Sequence, residues 1–171
     1  MKSSKRPVLR TTGKNPGKPS GTPQEALYKI SRYCAYQERS HQEVRNKLFE
    51  YGLHTNQVDE ILSHLITEGF LNEERYAKAF AGGKFRIMKW GKLKIQRELE
   101  SAGVSSRNIA RGLAEINPAD YSKSILSLVR KKVSLVTDEN PYQKKHKVAR
   151  FVIGKGYEPD LVWAAVTDFL A

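Results

Sequence analysis

Cysteine occurs once in the 171 residues, at position 34, so no internal disulfide can staple this chain and a hydrophobic core must hold it. Long apolar runs are missing too. No stretch reaches even ten consecutive apolar residues, against about 20 for a membrane-spanning helix, and the basic N-terminus lacks the apolar middle region of a secretory signal. These absences predict a soluble, cytoplasmic protein with no membrane partner. Acids are scarce beside bases, 18 against 30, which leaves a formal net charge of +12. A balance of that kind turns attention to polyanions and acidic protein surfaces.

Chemistry-bearing constellations are also missing. The four histidines, His41, His54, His64 and His146, have no metal-ligand spacing with each other or with Cys34. There is no glycine-rich phosphate loop, no nucleophile elbow and no serine, histidine and acid order of a hydrolase. The sequence therefore predicts no enzyme, no cofactor and no metal. Cys34 falls with Leu27 and Ile30 on one helical face, which reads as a buried, inert thiol.

The excess charge is unevenly placed. Residues 1–23 hold Lys2, Lys5, Arg6, Arg10, Lys14 and Lys18 and no acid, together with four of the seven prolines. Few residues there can pack, so a disordered basic tail is expected over 1–22.

From Pro23 onward apolar residues recur at spacings of three and four, and no alternating run suggests a strand. The chain also resembles itself. Val44, Leu48, Gly52, Val58, Leu62 and Leu65 superpose on Ile95, Leu99, Gly103, Ile109, Leu113 and Ile116, and again on Val148, Val152, Gly156, Val162, Val166 and Phe169. Each copy reads as three helices. In the first, Ser40 and Glu43 form a capping box for the middle helix and Thr55 caps the last. In the second, Asn72 caps the opening helix, Gly91 opens a middle helix that Gly103 closes, and Ser105 or Ser106 caps the next. Gly82-Gly83 interrupts a helical pattern and marks a place for a kink. In the third, a helix over about 119–136 precedes Asn140-Pro141 and Pro159.

The expected fold is all-α, with three tandem three-helix repeats at 23–70, 71–117 and 118–171 in an elongated, curved arrangement. A unit of some 50 residues buries too little apolar surface alone, so neighbours must cover its open side.

Three segments in this order carry a resemblance: Arg39-Ser40 with Glu43-Val44-Arg45, Lys47-Leu48 and Gly52; Gly69-Phe70-Leu71-Asn72-Glu73 with Arg75-Tyr76-Ala77; and Gly91 with Ile95, Glu98-Leu99 and Gly103-Val104. The chain resembles the RecX family over residues 24–117, and more loosely over 118–170. The resemblance implies a monomeric modulator that binds the helical groove of the RecA recombinase filament on single-stranded DNA. It implies restraint of filament growth, ATP hydrolysis and strand exchange in recombination and repair. Asn72 stands where the family usually has an acid, and Ile87-Met88-Lys89-Trp90 is less basic than the family tends to be there.

Helical geometry gives candidate binding residues. With Val44, Leu48 and Tyr51 as the inward stripe, Asn46 and its counterparts Arg97 and Arg150 point outward. The cations singled out as partner- or DNA-binding are Arg39, Arg45, Lys47, Lys94, Arg97, Lys144, Lys147 and Arg150; their bland reading is a solvated helical face. Phe49 lies well off the inward stripe and reads either as packing between bundles or as a partner contact. Trp90 reads as a packing residue or an interfacial anchor. The alternative function is weak, nonspecific contact with single- or double-stranded DNA by helix-turn-helix-like units. No helix concentrates the Arg, Asn and Gln needed to read bases.

Overall fold

A computed structural model describes residues 21–137 and 139–171. The basic tail expected over 1–22 lies, except for its last two residues, outside them. Among the described residues there are nine α-helices and no strand. They are α1 (Pro23–Tyr36), α2 (His41–Glu50), α3 (Thr55–Thr67), α4 (Glu73–Met88), α5 (Lys92–Ser101), α6 (Ser106–Ala114), α7 (Pro118–Leu135), α8 (Pro141–Gly154) and α9 (Pro159–Phe169).

Local chemistry explains where these helices begin. Ser40 Oγ accepts from the Glu43 N–H at 3.1 Å, while Glu43 Oε2 accepts from the Ser40 N–H at 2.8 Å, so two otherwise orphaned donors are satisfied reciprocally. Thr22 and Glu25 make the same box at the start of α1. Asn72 Oδ1 accepts from the Arg75 N–H at 2.8 Å, and Asn140 Oδ1 from those of Tyr142 and Gln143. Gly52, Gly103 and Gly156 follow the ends of α2, α5 and α8 with φ of 83°, 76° and 96°, a region that glycine enters without a Cβ penalty.

Several local expectations are corrected. The cap of α3 is His54 rather than Thr55, and its N–H donates to Gln57 Oε1 at 3.0 Å. Ser105 stands at the cap of α6 but spends its hydroxyl on Glu73 Oε2, at 2.6 Å, instead of capping. Gly82-Gly83 does not interrupt α4, because burial of Ala81, Gly82 and Phe85 holds the helix through that point. The helices α2 and α5 have ten residues each and α8 has 14, so the middle helices are unequal in length.

Extensive helix packing stays within α1–α3, α4–α6 and α7–α9, and repeat-equivalent residues fill equivalent places. Val44, Ile95 and Val148 are fully buried, as are Leu48, Leu99 and Val152. Each such side chain contributes about 1.5–3 kcal/mol of burial. The third copy departs at its end: Phe169 is exposed, and its neighbour Leu170 packs against the core instead.

The interior divides unevenly. Ala26, Ile30, Cys34, Val44, Leu48, Leu53, Val58 and Leu65 belong to one apolar cluster formed by the first trio and Leu71, in the turn that follows it. A second cluster runs without a break from Tyr76 to Val166, through both later trios. Cys34 is buried, and burial pushes its thiol up to about 11, which suits an inert side chain.

Candidate binding surface

The second and third trios meet backbone to backbone. The Gly91 N–H donates to the Lys155 carbonyl at 2.9 Å, and the Leu93 N–H donates to the Gly156 carbonyl at 3.0 Å. A Cβ on Gly91 would collide with the Gly156 carbonyl and the Tyr157 nitrogen, and one on Gly156 would collide with Lys94. Both positions therefore need glycine for close approach as well as for capping. Beside this contact the Tyr121 hydroxyl accepts from the Lys92 N–H at 2.9 Å and donates to Glu158 Oε2 at 2.5 Å. Burial, aided by the Glu158 carboxylate, holds that phenol far above its usual range, so it stays a donor. The Tyr121 ring packs against Tyr157 with centroids 5.0 Å apart.

This junction sets α5 beside α8 and opens a concavity of about 410 Å³ lined by Trp90, Lys94, Arg150, Phe151, Gly154 and Lys155. Lys94 Nζ lies 4.3 Å and Lys84 Nζ 4.9 Å from the Trp90 ring centroid. Lys132 Nζ lies 5.0 Å and Lys155 Nζ 5.9 Å from that of Phe151. Two part-buried aromatic rings are thus each attended by two ammonium groups.

The predicted cations separate into two groups. Lys94 and Arg150 meet in this concavity, and Arg97, with Ile153, lines its neighbour of about 380 Å³. Lys144 and Lys147 follow on α8, the first part-buried and the second exposed. Arg39, Arg45 and Lys47 belong to the first trio and are engaged there. Arg39 is turned inward, its guanidinium 3.9 Å from the Tyr33 ring and its side chain only 15% exposed. Arg45 pairs with Asp59 at 2.9 Å and Lys47 with Glu50 at 2.8 Å. Of the two apolar residues at the flanking position, Ile153 packs on the shared core, while Phe49 remains 42% exposed.

Sequence reasoning missed Phe151 and Lys155. The available signal was the four-residue spacing of Phe151 and Lys155 on α8, which places them on one face. Among the described residues no group of three or more His, Cys, Asp or Glu is placed to hold a metal, and no helix is long and apolar enough to cross a membrane.

These features define a class: tandem three-helix domains presenting a basic, aromatic-lined surface. A model of the second three-helix domain of RecX matches residues 72–113, and one of the third three-helix domain matches 120–166, together just over half of the chain. The chain belongs to the RecX family. Among curated relatives, the regulatory protein RecX of Geobacillus kaustophilus is 28% identical over 145 residues, covering 85% of this chain and 52% of the relative. That of Bacillus mycoides is 26% identical, covering 81% and 52%, and that of Clostridium botulinum 29%, covering 76% and 61%. The chain thus spans about half the length of the first of these relatives. A crystal structure of RecX from Lactobacillus salivarius shares the fold with a TM-score of 0.77 at 19% identity, covering 85% of this chain and 95% of that one.

Proposed function

We propose that this protein is a regulator that binds the RecA recombinase filament on single-stranded DNA and restrains its extension, ATP hydrolysis and strand exchange. The observation that carries the reading is family membership spanning 72–166 in a chain whose exposed cations recur on α5 and α8. Extensive packing only within successive helix trios makes a surface suited to lying along a larger assembly rather than enclosing a small molecule. The cations Lys94, Arg97, Lys144, Lys147 and Arg150 are assigned to that contact, whereas Arg39, Arg45 and Lys47 support the first trio. A further part of the reading is that 23–70, 71–117 and 118–171 act as successive units and that the chain works as a monomer in the cytoplasm.

The test is a recombinase ATPase assay on single-stranded DNA, titrated with the full chain. Inhibition at well below one molecule per recombinase subunit supports the proposal. An unchanged rate, with the chain shown to be folded by circular dichroism, contradicts it.

A further inference from the structure

We propose that the cleft between α5 and α8 is a seat for single-stranded nucleic acid, with bases stacking on Trp90 and Phe151 and phosphates held by Lys94, Arg150 and Lys155. It deepens the function proposed above and rests on that reading for the source of the strand, but it can be tested without recombinase.

The cleft and its surroundings carry charge of one sign. Several cations on α2, α4 and α6 have local acids: Arg45 has Asp59, Lys47 has Glu50, Arg75 has Glu38, Arg111 has Glu74, and Lys78 has Glu74 and Glu115. Lys84, Lys94, Lys132, Arg150 and Lys155 form ion pairs with no acid among the described residues. No residue lining the cleft is acidic. A concave wall of one sign focuses its field outward and favours a polyanion.

The rings choose among polyanions. An acidic peptide would satisfy the cations but has no use for Trp90 and Phe151, and a duplex keeps its base faces stacked inside. A single strand offers both phosphates and free π-faces. The lysines now resting on the rings do not oppose this, because an exposed cation–π contact is weaker than a base stacked on the same ring. On binding, each ammonium exchanges its ring for a phosphate. The walls are also fixed in advance, since the Gly91–Lys155 and Leu93–Gly156 backbone hydrogen bonds tie α5 to the end of α8.

The experiment measures binding of a labelled oligothymidylate to the full chain across a salt series, with no recombinase present. Trp90→Leu and Phe151→Leu are each expected to weaken binding about tenfold while leaving the salt dependence unchanged. Lys94→Gln and Arg150→Gln are each expected to lower the slope of log affinity against log salt by about 0.7. Because the aromatic variants remove part-buried packing, a second readout uses Trp163→Phe, which leaves Trp90 as the sole indole; saturating oligonucleotide should quench its emission. Unquenched emission, aromatic variants that fold and bind like the parent, or displacement by polyglutamate as effective as by unlabelled oligonucleotide would each overturn the proposal.

Discussion

Between α1–α3 and α4–α6 the chain is joined by polar side chains, whereas between α4–α6 and α7–α9 it is joined by backbone, glycine and a continuous apolar core. At the first junction Arg75 Nε donates to Glu38 Oε1 at 2.5 Å and Arg75 Nη2 to the Gly69 carbonyl at 2.9 Å. Tyr76, pushed up to about 12 by burial and by the Glu43 carboxylate, reaches buried Ser40. Arg39 Nε and His41 Nε2 are buried nearby without hydrogen-bond partners, an arrangement that costs stability. At the second junction no such cost appears among the described residues, and apolar burial crosses it freely. Exposed ion pairs are worth about 0–1 kcal/mol, while burying one aliphatic side chain is worth about 1.5–3. The first trio is therefore the body that can come away, and the later two move as one.

The largest effects should come from the two cores. Leu48 and Leu99 are both fully buried, and Leu→Ala at either should cost about 3–5 kcal/mol. Leu48→Ala is expected to destabilise the first trio alone, and Leu99→Ala both later trios together. Urea unfolding followed by fluorescence of Trp90 and Trp163, which pack on the shared core, should shift for the second variant and hold for the first.

Next comes Gly91→Ala. Its Cβ meets backbone rather than a yielding side chain, so strain of about 2–3 kcal/mol is expected, read as a lowered urea midpoint for that same transition. Gly103→Ala is a useful contrast, since no atom lies within 4 Å of its added Cβ and only the left-handed backbone opposes it.

A smaller effect links the packing of α4 on α6 to pH. Glu73 loses solvation on burial, but hydrogen bonds from Ser105 and Asn108, with His41 nearby, hold its carboxyl below 4.5. A carboxyl lowered by folding stabilises the fold fully above its unfolded value and loses that contribution as pH falls through its folded one. Asn108→Ala should therefore cost about 1 kcal/mol near pH 7, and the gap from the parent should close below pH 4.5. A gap that stays constant down to pH 3 would remove Glu73 from the account.

The smallest effect is expected from Arg75→Ala. With its side chain 48% exposed, the lost pair should cost about 0.5 kcal/mol. Faster hydrogen exchange at the start of α4, with urea stability barely changed, is the expected signature.

Helix content and much of the capping were legible in the sequence because both depend on near neighbours. Ser40 finds Glu43 three residues on, and the stripe Val44, Leu48 repeats as Ile95, Leu99 and Val148, Val152. What depends on distant neighbours was not legible. Nothing local says that Ser105 and Asn108 serve Glu73, or that Gly91 touches Gly156. The binding surface was half visible for the same reason. Periodicity marked Arg97 and Arg150 as outward-facing, but only the approach of α5 and α8 puts Lys94, Trp90, Arg150 and Phe151 around one cleft. Arg45 and Lys47 lie on the middle helix of their own trio as those cations do on theirs, and only the structure shows that they pair with Asp59 and Glu50.

Native-state hydrogen exchange at increasing urea tests the division into two bodies most directly. The core amides of α2 and α3, around Leu48 and Leu65, should open on one isotherm of low denaturant dependence. Those around Leu99 and Ile109 should open together with those around Val152 and Val166 on a second, steeper one. A single isotherm for all of them, or one that splits α4–α6 from α7–α9, would contradict it.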